Sequence, residues 1–209
     1  MEKAVKKRDS EASKKLILEC AIKLFSKKGF NLSSMDELAN MSGLNKAMIF
    51  YYFKNKQGLY EAVMETVIDE IYITVQKENQ NYKNPMEELK NFIKTYAFFA
   101  SNNPHLPALL LKELSNSGSV MSENLFYKMR KLFALFSDIL DRGKKDGSFN
   151  DIVPMVLYFM IIGTINLVIT TKPLRIKALE IDNIDTCANC DIAEISDYLI
   201  RKITKMLKD

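Results

Sequence analysis

Residues 33–59 read SSMDELANMSGLNKAMIFYYFKNKQGL, and this stretch encodes two short helices with a tight corner between them. Ser34 followed three residues later by Glu37 is a capping box, in which a side-chain oxygen accepts a backbone N–H that the first helical turn leaves unpaired. It opens a helix through about Met41. Gly43 breaks that helix, because a corner between short helices needs a residue that tolerates positive φ, and Asn45 can cap the next, from about Lys46 to Tyr52. Ala39, Gly43 and Ile49 have a joint packing rationale. The small residue lets the two helices cross closely, the glycine turns the corner and the aliphatic side chain locks the second helix down, as a helix-turn-helix requires.

Upstream, Ile17, Cys20, Ala21, Leu24 and Phe25 recur at helical spacing, giving one apolar stripe on a helix from about 9 to 28 that Gly29 closes. Downstream, Phe53, Lys54 and Asn55 form a joint, and Asn55 caps a long helix carrying Leu59, Val63, Val67, Ile68 and Ile71. Beyond it the pattern predicts helices over about 86–100, 108–114, 120–145, 152–171 and 191–207, with turns at SNNPHLP and DGSFND. With 7 glycines and 5 prolines in 209 residues and no sustained period-two alternation, every element reads as helix. The expected fold class is all-α: an N-terminal three-helix helix-turn-helix domain over 1–55, then a C-terminal helical domain over 56–209.

Charge divides the chain in the same place. Residues 1–60 hold 12 Lys/Arg and 6 Asp/Glu, whereas the remainder holds 18 and 20. A small basic module on a near-neutral body is the electrostatic footprint of a chain that meets a polyanion at one end. Lys46 and Lys56 fall in the first turns of two helices, where the helix dipole disfavours a cation by a few tenths of a kcal/mol or more. A phosphate docked there reverses that sign. Ser33, Ser34 and Tyr52 add hydroxyl donors of the kind that hold a protein on the DNA backbone.

The stretch from the first helix to Leu59 resembles the DNA-binding domain of the tetracycline-repressor (TetR) family of bacterial regulators. The matching residues are Ile17, Ala21, Leu24, Phe25, Gly29, Phe30, Ser33, Ser34, Leu38, Ala39, Gly43, Leu44, Phe50, Phe53, Lys56 and Leu59. Ser42, Asn45, Ala47 and Tyr52 depart from the family's usual alanine, serine, glycine and histidine; the packing scheme survives, but the base-reading surface becomes individual. The resemblance implies a third helix in the major groove with Lys46, Ala47, Met48 and Tyr51 facing DNA, and phosphate contacts from Ser33, Ser34, Tyr52 and Lys56. It also implies a homodimer on a palindromic operator, with the last two helices forming a four-helix bundle.

In the body, Phe98, Phe99, His105, Leu109, Phe126, Met129, Phe133, Met160 and Asn166 are candidates for lining an effector pocket. Pockets between helices are mainly apolar with a few orienting polar groups, so the expected effector is a small, largely apolar molecule. Residues 152–169 include 14 apolar residues of 18, yet Pro154, Gly163, Thr164 and Asn166 interrupt them and a membrane span needs about 20. A buried dimer helix fits better, and no membrane partner is expected. Cys187 and Cys190 form a lone C-x-x-C, read as reduced loop thiols; two such pairs meeting across a dimer are the sharper alternative, a four-thiolate zinc site. No cofactor is expected.

One histidine, no Gly-rich phosphate loop and no nucleophile elbow argue against an enzyme. An architectural DNA-binding protein without ligand is the nearer alternative, but it leaves about 150 residues of near-neutral helix without a role. With three cysteines and no signal-peptide core, the chain reads as a cytoplasmic regulator, a repressor in the first instance, that binds duplex DNA and a small-molecule effector.

Overall fold

In this computed structural model, residues 2–115, 118, 121–182 and 190–208 are described, and they form ten α-helices with no strand among them. In order these are α1 (Glu2–Lys28), α2 (Met35–Ser42), α3 (Lys46–Phe53), α4 (Lys56–Asn79), α5 (Pro85–Asn102), α6 (His105–Ser115), α7 (Glu123–Lys145), α8 (Pro154–Thr170), α9 (Lys172–Asp182) and α10 (Ile192–Lys208). The all-α expectation holds. Boundaries shift by a few residues: α5 starts at Pro85 because Asn84 Oδ1 accepts the N–H groups of Met86 and Glu87, and α6 starts three residues earlier than its apolar pattern suggested. The helix α9 lies where only a connection was expected. Its Pro173 sits in the first turn, where the missing N–H is not needed.

The chain divides into two compact units. The first comprises residues 1–67 and 108–126, the second residues 68–107 and 127–209, so α4, α6 and α7 contribute to both. In the first unit the stripe of Ile17, Cys20, Ala21, Leu24 and Phe25 is buried, as its helical spacing requires, together with Leu38, Ile49, Phe53, Leu59 and Val63. Gly29 closes α1 with φ of 78° and returns its N–H to the Phe25 carbonyl at 2.7 Å.

In the second unit α5 packs against α8 and α10. Leu89, Phe92, Ile93, Tyr96, Ala97 and Ala100 give α5 one continuous buried face. Glu88, also buried, receives both terminal nitrogens of Arg142 from α7, at 2.7 and 2.5 Å. These hydrogen bonds, with that from Nε to Asp138, hold the Arg142 guanidinium above its already high ordinary pKa. The apolar run around α8 is buried along Leu157, Ile161, Ile162 and Ile165, while Met155, Val156, Phe159, Met160 and Leu167 stay exposed. No single described helix is long and apolar enough to cross a membrane.

Candidate functional site

Local chemistry positions α2 and α3. The Ser34 hydroxyl accepts the Glu37 N–H at 3.1 Å, Gly43 takes the left-handed conformation at φ of 65°, and Asn45 Oδ1 accepts the Ala47 N–H at 2.8 Å. Ile49 and Phe53 then point inward and are buried, which turns the opposite side of α3 outward. Ala47, Met48 and Tyr51, at helical spacing, make an exposed face, and Tyr51 is 81% exposed although it is a large aromatic. Its ring meets the neighbouring Tyr52 edge-on at 5.3 Å, and most of its surface faces solvent.

The remaining residues singled out from the sequence have partners within the chain. Ser33 is buried and donates to the Gly29 carbonyl at 2.6 Å, fixing the end of α1. The Tyr52 hydroxyl donates to Ser10 Oγ at 2.9 Å, tying α3 to α1. Lys56 Nζ reaches the Asn31 carbonyl at 3.3 Å and lies 4.5 Å from the centre of the Phe30 ring, where desolvation lowers its pKa. Lys46 Nζ lies 2.7 and 2.8 Å from the two carboxylate oxygens of Asp36. An anion therefore does sit near the cation at the start of α3, and the chain itself supplies it. Ser34 and Tyr51 remain exposed, with Lys46, Tyr52 and Lys56 half-exposed.

Sequence reasoning missed three parts of this unit. Gly58 carries the joint between α3 and α4: its N–H donates to Asn55 Oδ1, and a Cβ there would lie 2.5 Å from the Phe53 carbonyl oxygen. Its signal was a glycine in a helix's first turn, where almost any other residue costs less. Lys112 donates to the carbonyls of Ser26 and Lys27 at 2.6 and 2.8 Å, placing a cation at the negative end of α1. Glu113, 2% exposed, accepts from the Tyr60 hydroxyl at 2.8 Å, and burial with that neighbouring carboxylate pushes the phenol's pKa up. Partners more than fifty residues apart leave no local pattern to read.

The candidate effector residues are scattered. Asn166 is buried and its Oδ1 accepts the Tyr96 hydroxyl at 2.9 Å. Phe133 meets Tyr158 edge-on at 5.3 Å, and Tyr158 in turn lies 5.4 Å from Phe136. Desolvation raises the pKa of both Tyr96 and Tyr158, so both phenols are neutral. Tyr96 and Tyr158 were not foreseen; a phenol on an otherwise apolar helical stripe was the available sign. Leu109 is buried in the first unit, Phe99, His105 and Met129 are half-buried, and Phe98, Phe126 and Met160 are exposed. A groove of about 660 Å³ between α5 and α10 is lined by none of the nine; Tyr82, Lys90, Asn91, Lys94, Arg201 and Thr204 are among its walls.

Cys190 is disulfide-bonded, so the expectation of a reduced thiol does not hold there, and Cys187 lies outside the described residues. Among the described residues no group of His, Cys, Asp and Glu is arranged to hold a metal.

A capped helix pair with an outward-facing second helix, in a chain whose other described elements are all helical, defines the class of helix-turn-helix regulators. The chain matches the family described as bacterial regulatory proteins, tetR family, over residues 17–63, and the tetracyclin repressor-like C-terminal domain over residues 85–189. The chain belongs to the TetR family of DNA-binding transcriptional regulators. It is 27% identical over 150 residues to the HTH-type transcriptional regulator RutR of Escherichia coli, covering 72% of this chain and 70% of that one. To the HTH-type transcriptional repressor NicS of Pseudomonas putida it is 22% identical over 205 residues, covering 96% and 97%. Its fold matches that of AibR, solved in complex with isovaleryl coenzyme A and operator DNA, with a TM-score of 0.70 at 17% identity over 94% of this chain and 98% of that one.

Proposed function

We propose that this chain is a dimeric, ligand-responsive repressor that reads a palindromic operator with α3, acts in the cytoplasm and has no catalytic activity. The observation that carries the DNA-reading role is the exposed face of Ala47, Met48 and Tyr51 on a helix whose other side is locked inward by Ile49 and Phe53. That face carries no guanidinium or free amide, so its selectivity comes from apolar contact with thymine methyl groups and from the Tyr51 hydroxyl. Lys46 and Lys56 supply phosphate contacts after exchanging their intrachain partners, and the exposed Ser34 adds a hydroxyl; Ser33 and Tyr52 serve the site by fixing α1 against it.

The exposed apolar side of α8 supports self-association, since a second copy removes Val156, Phe159 and Met160 from water. For the effector we assign the aromatic interior of the second unit, where the Tyr96–Asn166 pair provides the orienting polar groups and Phe133 and Tyr158 the apolar wall. The repressor sense is supported by likeness to NicS, and the small-molecule response by likeness to AibR.

The test is selection of duplexes from a random pool by purified protein, followed by titration of the selected duplex. The natural chain should bind it in preference to bulk DNA, and Tyr51→Ala should weaken that binding about tenfold while altering the preferred sequence. Recovery of no preferred sequence would overturn the DNA-reading role.

A further inference from the structure

Asp36 stands where a DNA-binding surface has least use for a carboxylate. It lies in the first turn of α2, its side chain is 73% exposed, and both its oxygens lie within 2.8 Å of Lys46 Nζ. The neighbouring Glu37 is directed elsewhere, to Lys28 at 2.6 Å. Two physical effects favour the Asp36–Lys46 pair. The carboxylate is stabilised by the positive end of α2, and it removes the penalty of a cation at the positive end of α3. In the free protein Lys46 is thus already neutralised, and a phosphate can recruit it only by displacing Asp36.

We infer that Asp36 is a specificity-determining residue of the DNA interface: it competes with phosphate for Lys46 and so suppresses sequence-independent attraction at the base-reading helix. This rests on the reading of α3 as the DNA-facing helix. Nonspecific affinity comes almost wholly from the cations that DNA releases when Lys and Arg neutralise its phosphates, and an ammonium held by a carboxylate neutralises a phosphate less effectively. Binding then depends more heavily on what Ala47, Met48 and Tyr51 find in the groove. Once displaced, the Asp36 side chain is free to turn away from the phosphate into solvent, because most of its surface is already there.

The competition predicts non-additive mutants, whereas a simple long-range field predicts additive ones. The full-length protein is titrated onto a mixed-sequence 30-base-pair duplex at low salt, with helix content and melting temperature checked for each variant. Asp36→Asn should tighten binding about fivefold, the upper worth of an exposed ion pair. Lys46→Met should weaken it only about twofold when Asp36 is present and about tenfold in the Asp36→Asn background, where the ammonium's full phosphate contact is exposed to loss. Equal, non-zero costs in the two backgrounds overturn the competition while leaving the DNA-facing role of α3 intact. No cost in either background overturns that role as well, and with it the inference.

Discussion

The α2–α3 corner and the α5–α7–α8 body are both helical, but they are held in shape by opposite kinds of interaction. At the corner, the caps that set each helix start span a few residues: Ser34 to Glu37, Asn45 to Ala47, Asn55 to Gly58. In the body the decisive polar contacts join residues 70 apart, Tyr96 with Asn166, and 54 apart, Glu88 with Arg142. Short-range caps set a helix's start and direction without help from elsewhere, which suits a surface whose outer face must be free for another molecule. Long-range pairs exist only once helices have packed, and they are shielded enough from water for each to matter more.

The largest expected effect comes from breaking the body's bidentate charge pair, whose carboxylate is buried. Glu88→Ala leaves the Arg142 guanidinium without its bidentate partner at a buried carboxylate position and should cost about 3 kcal/mol of stability, read from urea denaturation. Because that pair lies wholly within the second unit, DNA affinity of the folded fraction should change less than twofold, about what measurement error alone allows.

An intermediate effect is expected at the joint that follows α3. Gly58→Ala places a methyl 2.5 Å from the Phe53 carbonyl oxygen, a backbone atom that cannot swing aside. Stability should fall by about 2 kcal/mol. Unlike the Glu88 change, this one should also weaken binding to the selected duplex, since α3 must shift to relieve the clash. Equal melting temperatures for Gly58→Ala and the natural chain would show that the joint yields to the added methyl without cost.

The smallest effect sharpens the contrast. Ser34→Ala removes a single cap at an exposed position and should cost about 1 kcal/mol by urea denaturation. Restoration by Ser34→Asp, whose carboxylate caps the same N–H, would identify the cap as the cause; equal loss in both variants would assign it to something else.

How far the sequence could be read follows the same division. The start of α2, the glycine corner and the cap of α3 were legible because their causes lie within four residues of each other. So was the apolar stripe of α1, because burial imposes helical spacing on the chain. The identity of the outward face of α3 followed from Ile49 and Phe53 facing in. The role of the charged residues was not legible. Lys46 at a helix start signalled a nearby anion, but sequence position could not show that Asp36, ten residues away across the corner, supplies it. Ser33 read as an exposed hydroxyl, yet the turn after Gly29 folds it inward onto a carbonyl. The short helix α9 is not legible in the sequence, because a proline such as Pro173 suits a turn and a helix's first turn alike.

By itself, then, the sequence determined the helical class, the helix-turn-helix and the direction of its outward face, since caps, glycine corners and apolar periodicity act through neighbours along the chain. Only the tertiary structure decided which charges are spent within the molecule, how Lys112 and Glu113 join α1 and α4, and that Tyr96 meets Asn166 inside the body. Those pairings depend on distances set by packing, and hydrogen bonds and ion pairs weaken too steeply with distance for any spacing in the sequence to stand in for them.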